Sequence, residues 1–280
     1  MSSRTPSSVT VARPASGRAR FTDLLAAEWI KLWSLRSTYG SLAVIVVSAM
    51  LFSVRAALAD RRNWPSYSAE HRAALDPIYD AFPAEGWLFV MLAAGSVGAV
   101  MIAGEYASGQ IRTTFAAVPA RRGVAAAKVI VLAAVMTVVG TVTAGSAFWI
   151  SQAILADLPA GASIADPGAL RAIAGSALLV PVCALTGLGI GALVRYSAPA
   201  IVTTTAVLLL LPLAFDMRHR WTAALHNALP WAAWERLVGM VPFPNFEGYP
   251  PTVGGAWAVF AAWPVVAALV TMAVVHHREP

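Results

Sequence analysis

Uncharged apolar blocks of about 17–25 residues recur six times along this chain, and no other feature constrains its fold as tightly. At about 1.5 Å of rise per residue, a helical block of that length crosses a hydrocarbon layer of about 30 Å. Backbone groups in lipid must be satisfied within their own segment or in a closed barrel, and blocks this long and continuous suit helices. They lie at about 39–59, 86–104, 128–151, 171–194, 198–216 and 255–275. Only 12% of the residues are charged, against roughly 25% in soluble domains, and those charges fall almost wholly between the blocks. The predicted fold is an all-α integral membrane protein with six transmembrane helices, preceded by an interfacial amphipathic helix. The one cysteine, Cys183, sits inside an apolar block, so no intrachain disulfide and no cysteine metal site is open to the chain.

Arginine and lysine set the orientation. With a cytoplasmic N-terminus, the inner segments hold twelve basic and four acidic residues, and the outer segments hold eight arginines and ten acids. The net charge of +6 therefore reads as a topology signal rather than a nucleic-acid footprint. This arrangement predicts a multi-pass protein of the plasma membrane with both termini cytoplasmic. Residues 1–20, rich in Ser, Arg, Pro and Ala, read as a disordered basic tail, and 276–280 as a cytoplasmic C-terminus. The basic region ahead of the first block is too long for a signal peptide, and the block is long enough to span.

Three stretches are neither span nor simple loop. Residues 21–38 place Phe21, Leu24, Leu25, Leu32 and Leu35 on one helical face, with Lys31 and Arg36 flanking and Trp29 and Trp33 widening it. Glu28 falls inside that stripe, where an unpaired carboxylate is costly. It either pairs with Lys31 at i+3 or contacts a partner or an inner loop. The second stretch, 104–128, reads GEYASGQIRTTFAAVPARRGVAAAK. Glu105 stands where a helix C-terminus disfavours an acid unless it is paired, and Arg112, Arg121, Arg122 and Lys128 are the available partners. The third, 216–254, carries Trp221, Leu225, Leu229, Trp231, Trp234, Leu237 and Val238 around Pro230. It reads as an aromatic anchor at the membrane–water boundary, with a substrate gate as the alternative.

These residues carry a resemblance. EWIKLWSLRST before the first span, and GE-x-x-x-G-x-IRTT with its following Pro-x-Arg-Arg and Lys after the second, resemble permease subunits of ABC-2 type ATP-binding-cassette transporters, especially actinobacterial ones. The likeness covers nearly the whole chain. It implies a permease that forms the substrate path as a homo- or heterodimer with a second permease copy, and docks on a separate cytoplasmic ATPase. Export is the direction it favours. The segment after the second span would couple to the ATPase, which assigns Glu105, Gly109, Ile111, Arg112, Thr113 and Thr114 to coupling, with Arg121 and Arg122 nearby. Glu28, Lys31 and Arg36 would belong to the interfacial helix.

The sequence agrees on one point independently: it contains no Gly-x-x-x-x-Gly-Lys-[Ser/Thr] phosphate cradle. ATP hydrolysis is therefore expected in another subunit; no enzyme activity, catalytic residue, cofactor, metal or nucleic-acid partner is assigned to this chain. His219 and His226 lack a matching acid for a metal site. Gly187, Gly189 and Gly191 suggest close helix packing, internal or at a dimer seam. A non-transporting sensor or assembly protein of the same topology stands as the rival reading.

Overall fold

Leu24, Glu28 and Leu32 recur every fourth residue and form the buried stripe of helix α1 (Phe21–Ser34). In the computed structural model, which describes residues 20–240 and 248–277, that stripe packs against the helix carrying Lys128. Phe21 and Leu35, expected on the same face, are exposed with Trp29 and Ile30, so the buried face is narrower and the outer one greasier than the pattern suggested. The expected helix over 21–38 stops short. Leu35 is extended (φ −83°, ψ 118°), and Arg36 opens the first long helix instead of closing the interfacial one.

The other helices are α2 (Arg36–Asn63), α3 (Ala69–Ala74), α4 (Pro77–Ala81), α5 (Ala84–Ala107), α6 (Gln110–Ala117), α7 (Arg121–Leu155), α8 (Ala169–Val194), α9 (Ser197–Thr205), α10 (Leu211–Ala214), α11 (Arg220–Asn227), α12 (Pro230–Val238) and α13 (Val253–His277). Among the described residues there is no strand, and six helical segments are long and apolar enough to cross a membrane. These are α2, α5, α7, α8, the α9–α10 segment and α13. The basic tail over 1–20, apart from Arg20, and the last residues of the C-terminus lie outside the described residues. At about 1.5 Å per residue, α7 is roughly 50 Å long and overshoots any hydrocarbon layer. It starts at Arg121 rather than near Lys128, which puts Lys128 about 10 Å into the helix. Between α9 and α10, Ala206–Leu210 form a π-turn. Pro212 lacks the N–H that the Leu208 carbonyl would accept, and the wider turn gives its ring room.

Helices α5 and α8 are the most buried of the six and make the central pair. Helix α7 covers one side of that pair, while α2, α9–α10 and α13 turn most of their surface outward. Gly187 and Gly191 on α8 meet the backbone of Gly95 and Ala99 on α5, so the glycine stripe serves internal packing. Lipid offers no hydrophobic drive between helices, and small residues let backbones gain van der Waals contact instead.

The aromatic stretch also differs from expectation. Trp221 and Leu225 on α11 are exposed, as an anchor requires. Trp234, Leu237 and Val238 on α12 are buried against α8 and α13. The Trp234 ring stacks on Trp87, with centroids 5.9 Å apart, and its Nε1–H donates to Ser176 Oγ at 3.0 Å. Helix α12 is therefore a plug on the end of the bundle. Trp234→Phe keeps the stacking and removes the donor; it should cost about 1 kcal/mol, read as a lowered thermal midpoint in detergent.

Candidate functional site

A helix end leaves its last carbonyls without partners, and α5 resolves this with a sharp reversal. Ser108 donates its N–H to the Gly104 carbonyl, and Gly109 takes a left-handed conformation (φ 72°) that favours glycine. The chain then turns at once into α6. Ile111 and Phe115, four apart, bury one face of this short helix. Arg112 and Thr113 are exposed on the other, and Thr114 is half-buried. Pro119 follows, and α7 begins. The half-buried Arg121 holds its guanidinium 5.2 Å from the Phe115 ring centroid, which braces α6 against α7. Arg122 is exposed.

Beside this turn four charges are buried together. Lys128 Nζ lies 2.5 Å from Glu28 Oε2 and 2.9 Å from Glu105 Oε1. Lys31 Nζ lies 2.8 Å from Glu28 Oε1 and 3.0 Å from the same Glu105 Oε1. Each lysine thus touches both glutamates, and the ring is neutral. Glu28 and Lys128 are all but inaccessible, Glu105 is 6% exposed, and the Lys31 side chain reaches the surface at 22%. Burial alone would lower the Lys31 pKa, but Glu105 and Glu28 outweigh it and hold the ammonium above the usual lysine value. A lysine with a raised folded pKa keeps its stabilising contribution below the unfolded value and loses it as pH rises through the folded one, so Lys31 stays charged across neutral pH.

The ring joins three elements. Glu28 and Lys31 come from α1, Glu105 from the end of α5, and Lys128 from the second turn of α7. Glu28 makes the i+3 pair with Lys31 and also reaches Lys128, inside helix α7. Arg112, Arg121 and Arg122 do not pair with Glu105; Lys31 and Lys128 do. Arg36 stands apart at the start of α2. Lys128, named among the possible partners of Glu105, is not one of the residues that the resemblance assigns to coupling. Its signal is a lone ammonium on the buried stripe Val124, Ala125, Lys128, Val131, Leu132, where a charge needs a partner.

One acceptor is left over. Glu105 Oε2 is buried and has no hydrogen-bond partner among the described residues. Glu105 and Lys31 line a cavity of about 280 Å³ together with Ser34, Gly104, Ser108 and Gln110. This hollow lies between α1 and the α5–α6 reversal, next to the exposed face of α6. On the far side of the same end, Arg121, Arg122 and His276 border another opening of about 440 Å³. The arrangement exposes Arg112 and Thr113 on a short helix whose two neighbours, α5 and α7, are joined to each other and to α1 by buried ion pairs. Comparison with protein-family models and with curated proteins gives no match to this chain.

Proposed function

We propose that this multi-span membrane protein is the permease subunit of an ABC-2 type transporter. It forms the substrate path as a dimer and takes its drive from a separate ATPase that grips α6. The observation that carries the reading is the buried Glu28–Lys31–Glu105–Lys128 ring. Force applied at Arg112 and Thr113 reaches α5 and α7 through the chain, and α1 through the ring, so the three move as one body. A partner can shift a conformational equilibrium only through contacts that differ between its states. A rigid patch at a helix junction gives such contacts a route into the spans. The resemblance in GE-x-x-x-G-x-IRTT supports the same placement, and ATP hydrolysis belongs to the partner because the chain has no phosphate cradle. The excess of arginine and lysine at this end favours a cytoplasmic location, and the resemblance favours export as the direction.

The test uses exposed residues, because reversing buried Glu105 would break the ring itself. Arg112→Glu with Arg122→Glu should leave folding within about 0.5 kcal/mol of wild type and abolish copurification of an ATPase from detergent. An ATPase retained with full activity by that double variant removes the coupling role of α6. If wild type brings down no ATPase either, a sensor or assembly role takes its place. Sidedness has its own check. Cys183 is buried, so Thr113→Cys introduces the reactive thiol. An impermeant maleimide should leave it unlabelled in intact cells and label it after lysis.

A further inference from the structure

At the end of the bundle opposite the charge ring, three aspartates line one pocket. Asp60 comes from the last turns of α2, Asp76 caps α4, and Asp80 lies within α4. Together with Leu75, Tyr79 and Val238 they line a cavity of about 310 Å³. That volume is at the small end of ligand sites. Asp60 Oδ1 accepts from the Tyr67 hydroxyl at 2.8 Å, and Asp76 Oδ1 accepts from the Ile78 N–H at 2.9 Å. Asp80 is only 5% exposed and its carboxyl lies within hydrogen-bonding reach of Asp60, while its Oδ2 has no hydrogen-bond partner among the described residues. Two neighbouring arginines are committed elsewhere: Arg61 pairs with Asp157 at 2.7 Å, and Arg72 donates to the Trp64 and Pro65 carbonyls. Among the described residues no lysine or arginine forms an ion pair with any of the three.

A buried carboxylate without a partner is costly, and two more nearby raise the cost. A cation removes it. Among the described residues no three His, Cys, Asp or Glu side chains converge as metal ligands. An ammonium group carries three donors and suits carboxylates that approach from different elements. The apolar walls at Ala74, Leu75 and Val238 suit a short methylene stem.

We propose that this pocket binds a primary ammonium group on a short aliphatic stem, with Asp80 and Asp60 as its principal acceptors and Asp76 at its side. The site is independent of the coupling patch and stands or falls without it. Under the orientation set by the arginines it faces outward.

Protons compete for the same oxygens. Burial, then Asp60 and Asp76, push the Asp80 carboxyl up to about 7. His71 on α3 also lines the pocket. Tyr79 lies on α4 itself, with Glu85 at the start of α5 and Glu235 on α12 near it, and Tyr67 faces Asp60. Both glutamates add negative potential. Affinity should therefore drop about tenfold between pH 8 and pH 6, the span over which Asp80 passes from ionised to protonated.

The experiment titrates n-butylammonium chloride into the full chain in phosphatidylcholine nanodiscs, followed by calorimetry. Saturable binding is expected at pH 8, about tenfold weaker at pH 6, and at least tenfold weaker in Asp80→Asn and in Asp60→Asn. Folding is controlled by the sign of the Asp80 effect. The native state holds a proton that the unfolded chain has released, so stability falls as pH climbs from about 4 to about 7. Asp80→Asn should thus show an unchanged or higher thermal midpoint at pH 8. The proposal is overturned by an absence of saturable binding at pH 8 or by undiminished binding in both variants. It is overturned equally if tetramethylammonium, which has no N–H, binds as tightly, or if equimolar calcium displaces the amine.

Discussion

Lys128→Met should destabilise the protein by about 3–5 kcal/mol, the range found when one partner of a buried ion pair is removed. Methionine nearly matches the lysine stem in volume, so the loss is electrostatic rather than a cavity effect. Lys31 would be left to serve two buried glutamates, and the ring would carry a net negative charge. A second substitution separates this account from simple loss of packing. Adding Glu28→Gln restores neutrality, leaving Lys31 with Glu105, and should recover more than half of the loss. Thermal unfolding in detergent of wild type, both single variants and the double variant measures the coupling, expected at about 2 kcal/mol or more. Purely additive losses would mean that the two side chains do not share an electrostatic site. Replacing all four charges by apolar residues of similar volume can be neutral or stabilising. If such a variant folds well and still responds to the proposed ATPase, the ring is a structural device and not a transmitter.

The spans were open to sequence reading because hydrocarbon thickness sets their length and exclusion of charge marks their limits. The six long apolar helices follow the six blocks for that reason. What the pattern could not supply was contact across the chain. Glu28 and Lys31 are a turn apart, so their pair was visible. Glu28 and Lys128 are separated by 100 residues, and no periodicity links them. Of the four partners the sequence offers Glu105, only Lys128 pairs with it, and α6 turns Arg112 away when it buries Ile111 and Phe115. Likewise, Trp234 has the composition of a membrane-boundary residue, and only the fold shows Ser176 and Trp87 waiting for it. Asp60, Asp76 and Asp80 entered the sequence argument as three of ten outer acids. Their juxtaposition depends on α4 folding back against the end of α2.

Gly98→Ala should be the most damaging one-methyl change in the molecule. A Cβ at this position would run into the Ala184 carbonyl oxygen, 2.7 Å from its carbon and 2.8 Å from the Leu188 nitrogen. All three are backbone atoms, so no side chain can swing aside. Gly187→Ala meets the Gly95 carbonyl from the other helix in the same way. Relief requires α5 and α8 to move apart along their whole seam, and that seam is the centre of the bundle. Overpacking of a close-packed site costs about 1–3 kcal/mol, and more where the obstacle is backbone, so about 3 kcal/mol or above is expected. Gly145 on α7 is the matched control. Nothing lies within 4 Å of its Cβ position, and Gly145→Ala should be neutral or add up to about 1 kcal/mol through helix propensity. Thermal midpoints of the three variants in one detergent decide the matter. Equal stability of Gly98→Ala and Gly145→Ala would mean that α5 and α8 do not approach this closely. Backbone proximity would then not be what holds the central pair, because in lipid the same apolar side chains find equally good contacts with acyl chains.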